Sequence, residues 1–170
     1  MPSESFPPIV TERARVLILG SLPGVRSLEE QQYYAQPQNA FWKIMGELFD
    51  AGPELPYAIR TERLTASGIG LWDVIASAER PGSLDSSIVS ATVVVNDFAE
   101  LLTRCREIEL VCFNGVKAAD LFERRARPAL ENDFGHLKYE CLPSTSPANA
   151  AMRFREKLAR WSIVKDALGD

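Results

Sequence analysis

The sequence has few of the residues on which metal binding and most hydrolytic chemistry depend. Its 170 residues include one histidine, His136, and three widely spaced cysteines, Cys105, Cys112 and Cys141. A structural zinc site usually takes four Cys or His ligands with at least one close pair, and an iron–sulfur cluster takes four thiolates. The sequence therefore predicts no metal and no other cofactor. It favours reduced, buried thiols that pack as small hydrophobic side chains.

Several familiar signatures are also missing. There is no G-x-S-x-G elbow, and the single histidine lies in a predicted loop, which argues against a Ser-His-Asp hydrolase. Neither a Walker A loop nor a G-x-G-x-x-G fingerprint occurs. No apolar run reaches the ~18 residues of a membrane helix, and the amino terminus does not have the pattern of a secretory signal. We therefore expect a cytoplasmic protein with no membrane partner, and we expect a monomer.

The formal net charge of −4 argues weakly against a large nonspecific DNA-binding surface, although such binding needs only a local basic patch. Two stretches are candidates for a patch: Arg124, Arg125 and Arg127 form one, and Arg153, Arg155, Lys157 and Arg160 form the other. Each stretch alone is more typical of a solvated helix face.

Short apolar runs alternate with helical patterns along the chain. Four runs predict buried strands, over residues 15–19, 70–75, 110–113 and 138–142. Amphipathic spacing predicts helices after Pro37, over residues 57–67, after Asn96, after Gly115 and at the end of the chain. The alternation predicts an α/β fold with a central, mostly parallel four-stranded sheet. We expect an N-terminal arm over residues 1–14, loosely held in its first eight residues, and one domain over residues 15–168.

Local signals predict where three helices begin. Ser27 and Glu30 have the spacing of a capping box. Asn96 is a predicted N-cap, and Ser146 followed by Pro147 has the pattern of an N-cap and the first residue of the long final helix. The final helix would then begin within the loop behind the fourth strand.

The residues that follow the predicted strands are candidates for a site, because parallel α/β sheets bind ligands beyond the carboxyl ends of their strands. They are small or polar: Gly20 and Ser21, Asp73, Asn114, and Ser144, Thr145 and Ser146. The amide of Asn39 and the aromatic rings of residues 33–42 lie close to the first group in sequence. Amides, hydroxyls and aromatic faces suit a flat, hydrogen-bonding ligand such as a nucleobase, without singling one out.

Two segments carry a more specific pattern. GSLPGVRSLEEQQYYAQPQNAFW (residues 20–42) resembles the first motif region of the uracil-DNA glycosylase superfamily. LPSTSPAN (residues 142–149) resembles its second motif, the loop that enters the DNA minor groove. GLWDV and FNGVKAA resemble intermediate segments, so the resemblance spans roughly residues 16–161. It implies a single-domain, three-layer α/β/α fold and a monofunctional DNA glycosylase.

Within that superfamily the sequence is most similar to the hypoxanthine-DNA glycosylase branch. Leu22 stands where other branches have the Asp or Asn that positions the attacking water, and Leu142 stands where several have a His or Asn that polarises a uracil carbonyl. The resemblance implies that Asn39 takes over the catalytic role. It also implies that Tyr34 stacks on the flipped base and that Asn114 reads the base edge.

The other expected site residues are Gly20 and Ser21 beside the base, and Ser144, Thr145, Ser146 and Arg153 against DNA phosphates. Several residues also have a plainer interpretation. Asn39 is a possible helix cap, and Tyr34 is a possible core aromatic. Asp73 is either a solvated acid at a strand end or a minor contributor to charge stabilisation near the sugar.

The resemblance implies that the partner is DNA containing a deaminated base, with hypoxanthine (deoxyinosine) favoured. Hydrolysis of the N-glycosidic bond through an oxocarbenium-like sugar would leave an abasic site for base excision repair. No obvious active-site lysine is present, which argues against a Schiff-base lyase step. Two alternatives stay open. One is the same chemistry on uracil or xanthine. The other, which Leu22 favours, is a DNA- or nucleobase-binding module with weak catalysis.

Overall fold

The structure, a computed structural model, describes residues 2–169 and contains two sheets. The strands are β1 (Ser3–Glu4), β2 (Val16–Gly20), β3 (Ile69–Asp73), β4 (Ile75–Ala78), β5 (Val94–Val95), β6 (Leu110–Asn114) and β7 (Lys138–Leu142). The central four-stranded sheet has the order β3-β2-β6-β7, and all its neighbouring strands are parallel. The strands β1, β4 and β5 form a small antiparallel sheet that the sequence did not predict. The predicted α/β fold with a parallel four-stranded sheet is confirmed.

Helices cover both faces of the central sheet. They are α1 (Val25–Glu30), α2 (Phe41–Phe49), α3 (Tyr57–Ala66), α4 (Phe98–Arg104), α5 (Val116–Arg125), α6 (Phe154–Trp161) and α7 (Ile163–Leu168). Successive strand residues point to opposite faces. In β2, Leu17 and Leu19 therefore join the core beneath α4 and α5, whereas Val16 and Ile18 join the core beneath α2, α3, α6 and α7. This is the three-layer arrangement that the resemblance implied. None of the helices within residues 2–169 is long and apolar enough to cross a membrane.

The predicted capping box is wrong. The helix α1 begins at Val25 with Gly24 at its N-cap, so Ser27 lies inside the helix. The Ser27 hydroxyl accepts a hydrogen bond from the backbone N–H of Ala35 at 3.1 Å instead. Ser27 therefore fixes the chain that follows α1 rather than the start of that helix.

The two other predicted helix starts are also wrong. Asp97 caps α4 by accepting from the backbone N–H of Glu100 at 3.1 Å, whereas Asn96 donates its side-chain amide to the carbonyl of Asp73 at 2.7 Å. The final helical region begins only at Phe154. The Ser146 hydroxyl accepts from the backbone two residues further on, at 3.2 Å, and this local turn competes with a helix.

The N-terminal arm is docked, so the expectation of a loosely held arm is wrong. The strand β1 pairs with β4. The carbonyl of Phe6 accepts from the indole of Trp72 at 3.0 Å, and the carbonyl of Pro7 accepts from the Tyr33 hydroxyl at 3.2 Å. These bonds run from the arm to both β3 and the first motif region.

The cysteines divide by their place in the sheet. Cys105 and Cys112 are buried, as predicted, and burial raises the pKa of the Cys112 thiol to about 12. Cys141 is exposed, contrary to the prediction, because β7 is an edge strand with most of its residues uncovered. In the part of the chain that the structure describes, no three His, Cys, Asp or Glu side chains are grouped to hold a metal ion.

Candidate active site

The carboxyl ends of the four parallel strands line up along one edge of the central sheet. Gly20 of β2 lies opposite Asp73 of β3, and Asn114 of β6 lies opposite Leu142 of β7. The pairing of β2 with β6 brings these two pairs side by side. The edge therefore collects the residues that follow each predicted strand, and both sequence motifs begin there.

A buried arginine holds the turn of residues 20–24 in the first motif. Arg80 is only 7% exposed, and its guanidinium donates to the carbonyls of Leu22, at 3.3 Å, and of Pro23. Its Nε donates to the carbonyl of Gly82 at 2.9 Å. The role of Arg80 could not be predicted from the sequence, because a lone arginine beside a Pro-Gly turn has no distinguishing pattern. The cation fixes the turn through backbone groups rather than through an ion pair.

The segment of residues 80–85 also binds the first motif through side chains. The Ser21 hydroxyl donates to Oδ1 of Asp85 at 2.6 Å, and the Ser83 hydroxyl accepts from the backbone N–H of Val25 at 2.8 Å. Ser21 is 8% exposed. The Ser21 hydroxyl is therefore already hydrogen-bonded to a carboxylate. Residues 80–85 lie against the first motif on the Ser21 side of the candidate site.

Thr145 joins three parts of the site. Its backbone N–H donates to Oδ1 of Asn114, and its hydroxyl accepts from Nδ2 of the same amide, both at 2.9 Å. Its carbonyl accepts from the backbone N–H of Ala40, the residue before α2, at 3.0 Å. Thr145 is 1% exposed, so its side chain orients Asn114 rather than facing solvent.

The rest of the second motif is a surface turn. The Ser144 hydroxyl accepts from the backbone N–H of Ser146 at 3.2 Å, and the Asn149 amide donates to the carbonyl of Ser144 at 3.1 Å. Both serines are partly exposed. Arg153 is exposed at the N-cap position of α6, directly behind this turn.

The other candidate basic stretch lies away from the site. The helix α5 starts next to the carboxyl edge at Val116 and ends at Arg125, about 15 Å further along its axis. Arg125 donates to the carbonyls of Ser90 and Val93, and Arg127 bonds Glu123 at 2.8 Å. These arginines are engaged in structural contacts at the opposite end of α5.

Asn39 is half-buried just before α2. Its Oδ1 accepts from the backbone N–H of Phe41, the first residue of that helix, at 2.9 Å. This hydrogen bond supports the interpretation of Asn39 as a helix cap. An amide oxygen has two lone pairs, and the amide nitrogen has two further donors, so this contact leaves capacity for a water or a base.

Tyr34 stacks on Phe41 with ring centroids 4.0 Å apart and an interplanar angle of 22°. Its φ of 56° is uncommon for a bulky residue. The phenol oxygen is buried beside Gly20, where an added Cβ would lie 3.0 Å from it. Burial raises the pKa of this phenol, the neighbouring Asp73 raises it further, and the Asn114 amide acts in the opposite direction.

Asp73 is buried, with 3% of its surface exposed, so the interpretation as a solvated acid is wrong. Burial, together with the charge of Asp85, raises the pKa of the Asp73 carboxyl to about 7, and Arg80 opposes that shift. A carboxyl of this kind is part neutral acid and part carboxylate near neutral pH. Such a perturbed group at the carboxyl edge of a sheet is typical of a functional site.

Comparison with known proteins identifies the family. The family model of the uracil DNA glycosylase superfamily matches residues 7–167. A Methanosarcina acetivorans protein named hypoxanthine DNA glycosylase is 35% identical over 167 residues, 96% of this chain and 98% of that protein. A Methanosarcina barkeri protein of the same name is 37% identical over 121 residues, 71% of this chain and 75% of that protein.

The fold agrees with that assignment. The solution NMR structure of a candidate uracil DNA glycosylase from Methanosarcina acetivorans matches with a TM-score of 0.81 and 33% identity, over the whole of both chains. The chain belongs to the uracil DNA glycosylase superfamily. The resemblance drawn from the two motifs is confirmed.

Proposed function

We propose that this protein is a monofunctional DNA glycosylase that extrudes hypoxanthine from DNA and hydrolyses its N-glycosidic bond, leaving an abasic site. One observation carries the proposal: the two motifs meet at the sheet edge, where Thr145 of the second motif bonds both Asn114 and Ala40. Ligands of α/β sheets bind at this edge. The predicted enzyme class, a DNA glycosylase, is confirmed by the family and by the named relatives. We expect it to act as a monomer in the cytoplasm.

We assign the positioning of the attacking water to Asn39. In the first motif, Leu22 stands where other branches have the Asp or Asn that positions the water. Leu22 is 7% exposed and belongs to the hydrophobic core, so it holds no water. Asparagine is a poor base. The rate enhancement would therefore come from orienting the water at the anomeric carbon and from electrostatic support of the leaving base.

The base pocket would be formed by Gly20, Ser21, Tyr34 and Asn114. Gly20 has no side chain because Asp73 and Tyr34 lie against its backbone, where any Cβ would meet them. The Asn114 amide is oriented by Thr145, and the second hydrogen of its Nδ2 would reach the base edge once the Tyr34 phenol turns away. An aromatic ring such as that of Tyr34 provides a stacking face.

The second motif would contact the DNA backbone. Ser144 and Ser146 are partly exposed beside the edge, Thr145 holds the turn from inside, and Arg153 stands free of any ion pair within residues 2–169. Hydroxyls, backbone N–H groups and an arginine are the groups that usually bind DNA phosphates.

The experiment is incubation with duplex and single-stranded oligonucleotides that contain one inosine, one uracil or one xanthine. We expect cleavage at inosine after alkali treatment, and no strand break without alkali because the enzyme only removes the base. Faster release of uracil or xanthine would reassign the substrate within the same chemistry. Binding without any base release would support the binding module, which the hydrogen bond from Phe41 to Asn39 and the burial of Leu22 favour.

A further inference from the structure

Two buried polar atoms within residues 2–169 lack a hydrogen-bond partner, and they lie together. They are the phenol oxygen of Tyr34 and Oδ2 of Asp73. Both side chains border Gly20, where an added Cβ would lie 3.0 Å from the Tyr34 oxygen and 2.7 Å from Oδ1 of Asp73. Buried polar groups in folded proteins are almost always paired. The unpaired carboxyl oxygen of Asp73 at the edge of the candidate site therefore points to a ligand that pairs with it.

Within residues 2–169, no cationic side chain forms an ion pair with Asp73. Burial and the charge of Asp85 disfavour a negative charge on Asp73, and the Asp73 carboxylate in turn raises the pKa of the Tyr33 and Tyr34 phenols, which are neutral near pH 7. Arg80 is the charged group of opposite sign, but its hydrogen bonds go to backbone carbonyls. Because burial and the charge of Asp85 raise the pKa of Asp73 to about 7, a large fraction of the carboxyl carries a proton near neutral pH.

We propose that Asp73 donates a proton to the imidazole nitrogen N7 of the flipped purine as the base leaves. This inference rests on the proposed function. As the bond between C1′ and N9 breaks, its electron pair stays with the purine, and the Asp73 proton moves to N7, so the base departs as a neutral molecule. The water at Asn39 forms the new bond to C1′ and loses one proton to solvent. Asp73 regains a proton from solvent.

The Tyr34 phenol occupies the space beside Gly20, next to the Asp73 carboxyl. It stacks on Phe41 at 4.0 Å, and its oxygen is buried beside Gly20. A purine held between Phe41 and the displaced Tyr34 ring, with its polar edge toward Asp73, would take the same place. The ring must therefore turn off Phe41 before a base can reach the carboxyl.

The chemistry distinguishes a purine from a pyrimidine. N7 is a good acceptor on hypoxanthine, and uracil has no corresponding ring nitrogen. Proton donation to a leaving group by a positioned acid contributes about 10²- to 10⁴-fold to a rate. Asp73 would therefore matter most for release of a deaminated purine.

The test is single-turnover release of hypoxanthine from an inosine duplex between pH 5 and pH 9, with the wild type, Asp73→Asn and the exposed-site control Asp120→Asn. We expect the wild-type rate to fall about tenfold per pH unit above about pH 7, since the acid form is then lost. Asp73→Asn should be at least about 100-fold slower at pH 6, without that fall. Asp120→Asn should match the wild type.

A second substrate keeps the test decisive if Asp73→Asn does not fold. A duplex with 7-deaza-2′-deoxyinosine lacks N7, so the wild type should bind it as it binds inosine but release its base at least about 100-fold more slowly. A folded Asp73→Asn enzyme with the wild-type rate and pH profile would overturn the inference, as would release of 7-deazahypoxanthine at the inosine rate. A wild type inactive on inosine at every pH would instead overturn the proposed function.

Discussion

Asn114 and Thr145 are joined by two hydrogen bonds of 2.9 Å, one to the backbone and one to the side chain of Thr145. Asn114 ends the buried strand β6, whereas Thr145 belongs to the second motif. The pair therefore sets the position of a surface loop from a residue of the sheet. It also fixes which way the Asn114 amide faces, because each end of the amide has its own partner.

Asn114→Ala should destabilise the protein by about 1–3 kcal/mol, because the buried N–H and hydroxyl of Thr145 lose their partner. It should also weaken DNA binding, since the second motif loses its anchor. Urea unfolding and fluorescence anisotropy measure the two effects. Thr145→Ser, which keeps both hydrogen bonds, is the matched control. Unchanged stability in Asn114→Ala would show that the pair does not hold the loop.

Two glycines of the same turn should respond differently to alanine. A Cβ at Gly20 would lie 2.7 Å from Oδ1 of Asp73 and 3.0 Å from the Tyr34 oxygen, which is too close. A Cβ at Gly24 would meet Ser83 at ordinary distances, 3.5 Å at the nearest. We expect Gly20→Ala to lose most base release and Gly24→Ala to keep it, as measured by single-turnover cleavage. Equal activity of the two variants would contradict the assignment of Gly20 to the base pocket.

The parallel sheet and its carboxyl edge were predictable because buried parallel strands appear in sequence as short apolar runs. The strand Lys138–Leu142 was predicted with the bounds that the structure has, and the other three central strands within one or two residues. Because parallel strands end at the same edge of a sheet, the position of Gly20, Asp73 and Asn114 at that edge could also be predicted. The family followed from the two motifs rather than from this periodicity.

Features that depend on distant contacts were not predictable. Ser27, Asn96 and Ser146 were each predicted to begin a helix, yet each bonds to other parts of the chain or to a local turn. A residue type that favours a cap does not reveal which partner it meets. Burial of Arg80 and Asp73 likewise depends on how residues 80–85 fold back over the first motif.

Stability should depend on pH through Asp73. The folded pKa of about 7 lies above the ordinary value of 3.8, so the folded protein holds this proton over a range in which the unfolded chain releases it. The contribution of Asp73 is full below about pH 4 and is lost as the pH rises through 7. The stability of the wild type relative to Asp73→Asn should therefore fall between pH 5 and pH 8, as measured by urea unfolding. A difference that stays constant over this range would contradict the raised pKa.

Arg153→Ala should weaken DNA binding and reduce the slope of log K against log salt by about 1, if the guanidinium neutralises one phosphate. The matched control is Arg124→Ala, because Arg124 is exposed near the far end of α5. Anisotropy titrations between low and moderate salt give the slopes. An unchanged slope for Arg153→Ala would place that residue on a solvated face outside the interface.

The catalytic assignment of Asn39 is tested most directly by single-turnover release of hypoxanthine by Asn39→Ala, with Asn132→Ala as an exposed control. The hydrogen bond from Phe41 to Asn39 predicts that the loss of the cap costs about 1 kcal/mol of stability. If Asn39 also positions the water, the chemical step should be lost while folding and DNA binding are nearly intact. A folded Asn39→Ala protein with wild-type base release and a lower melting temperature would show that Asn39 only caps α2.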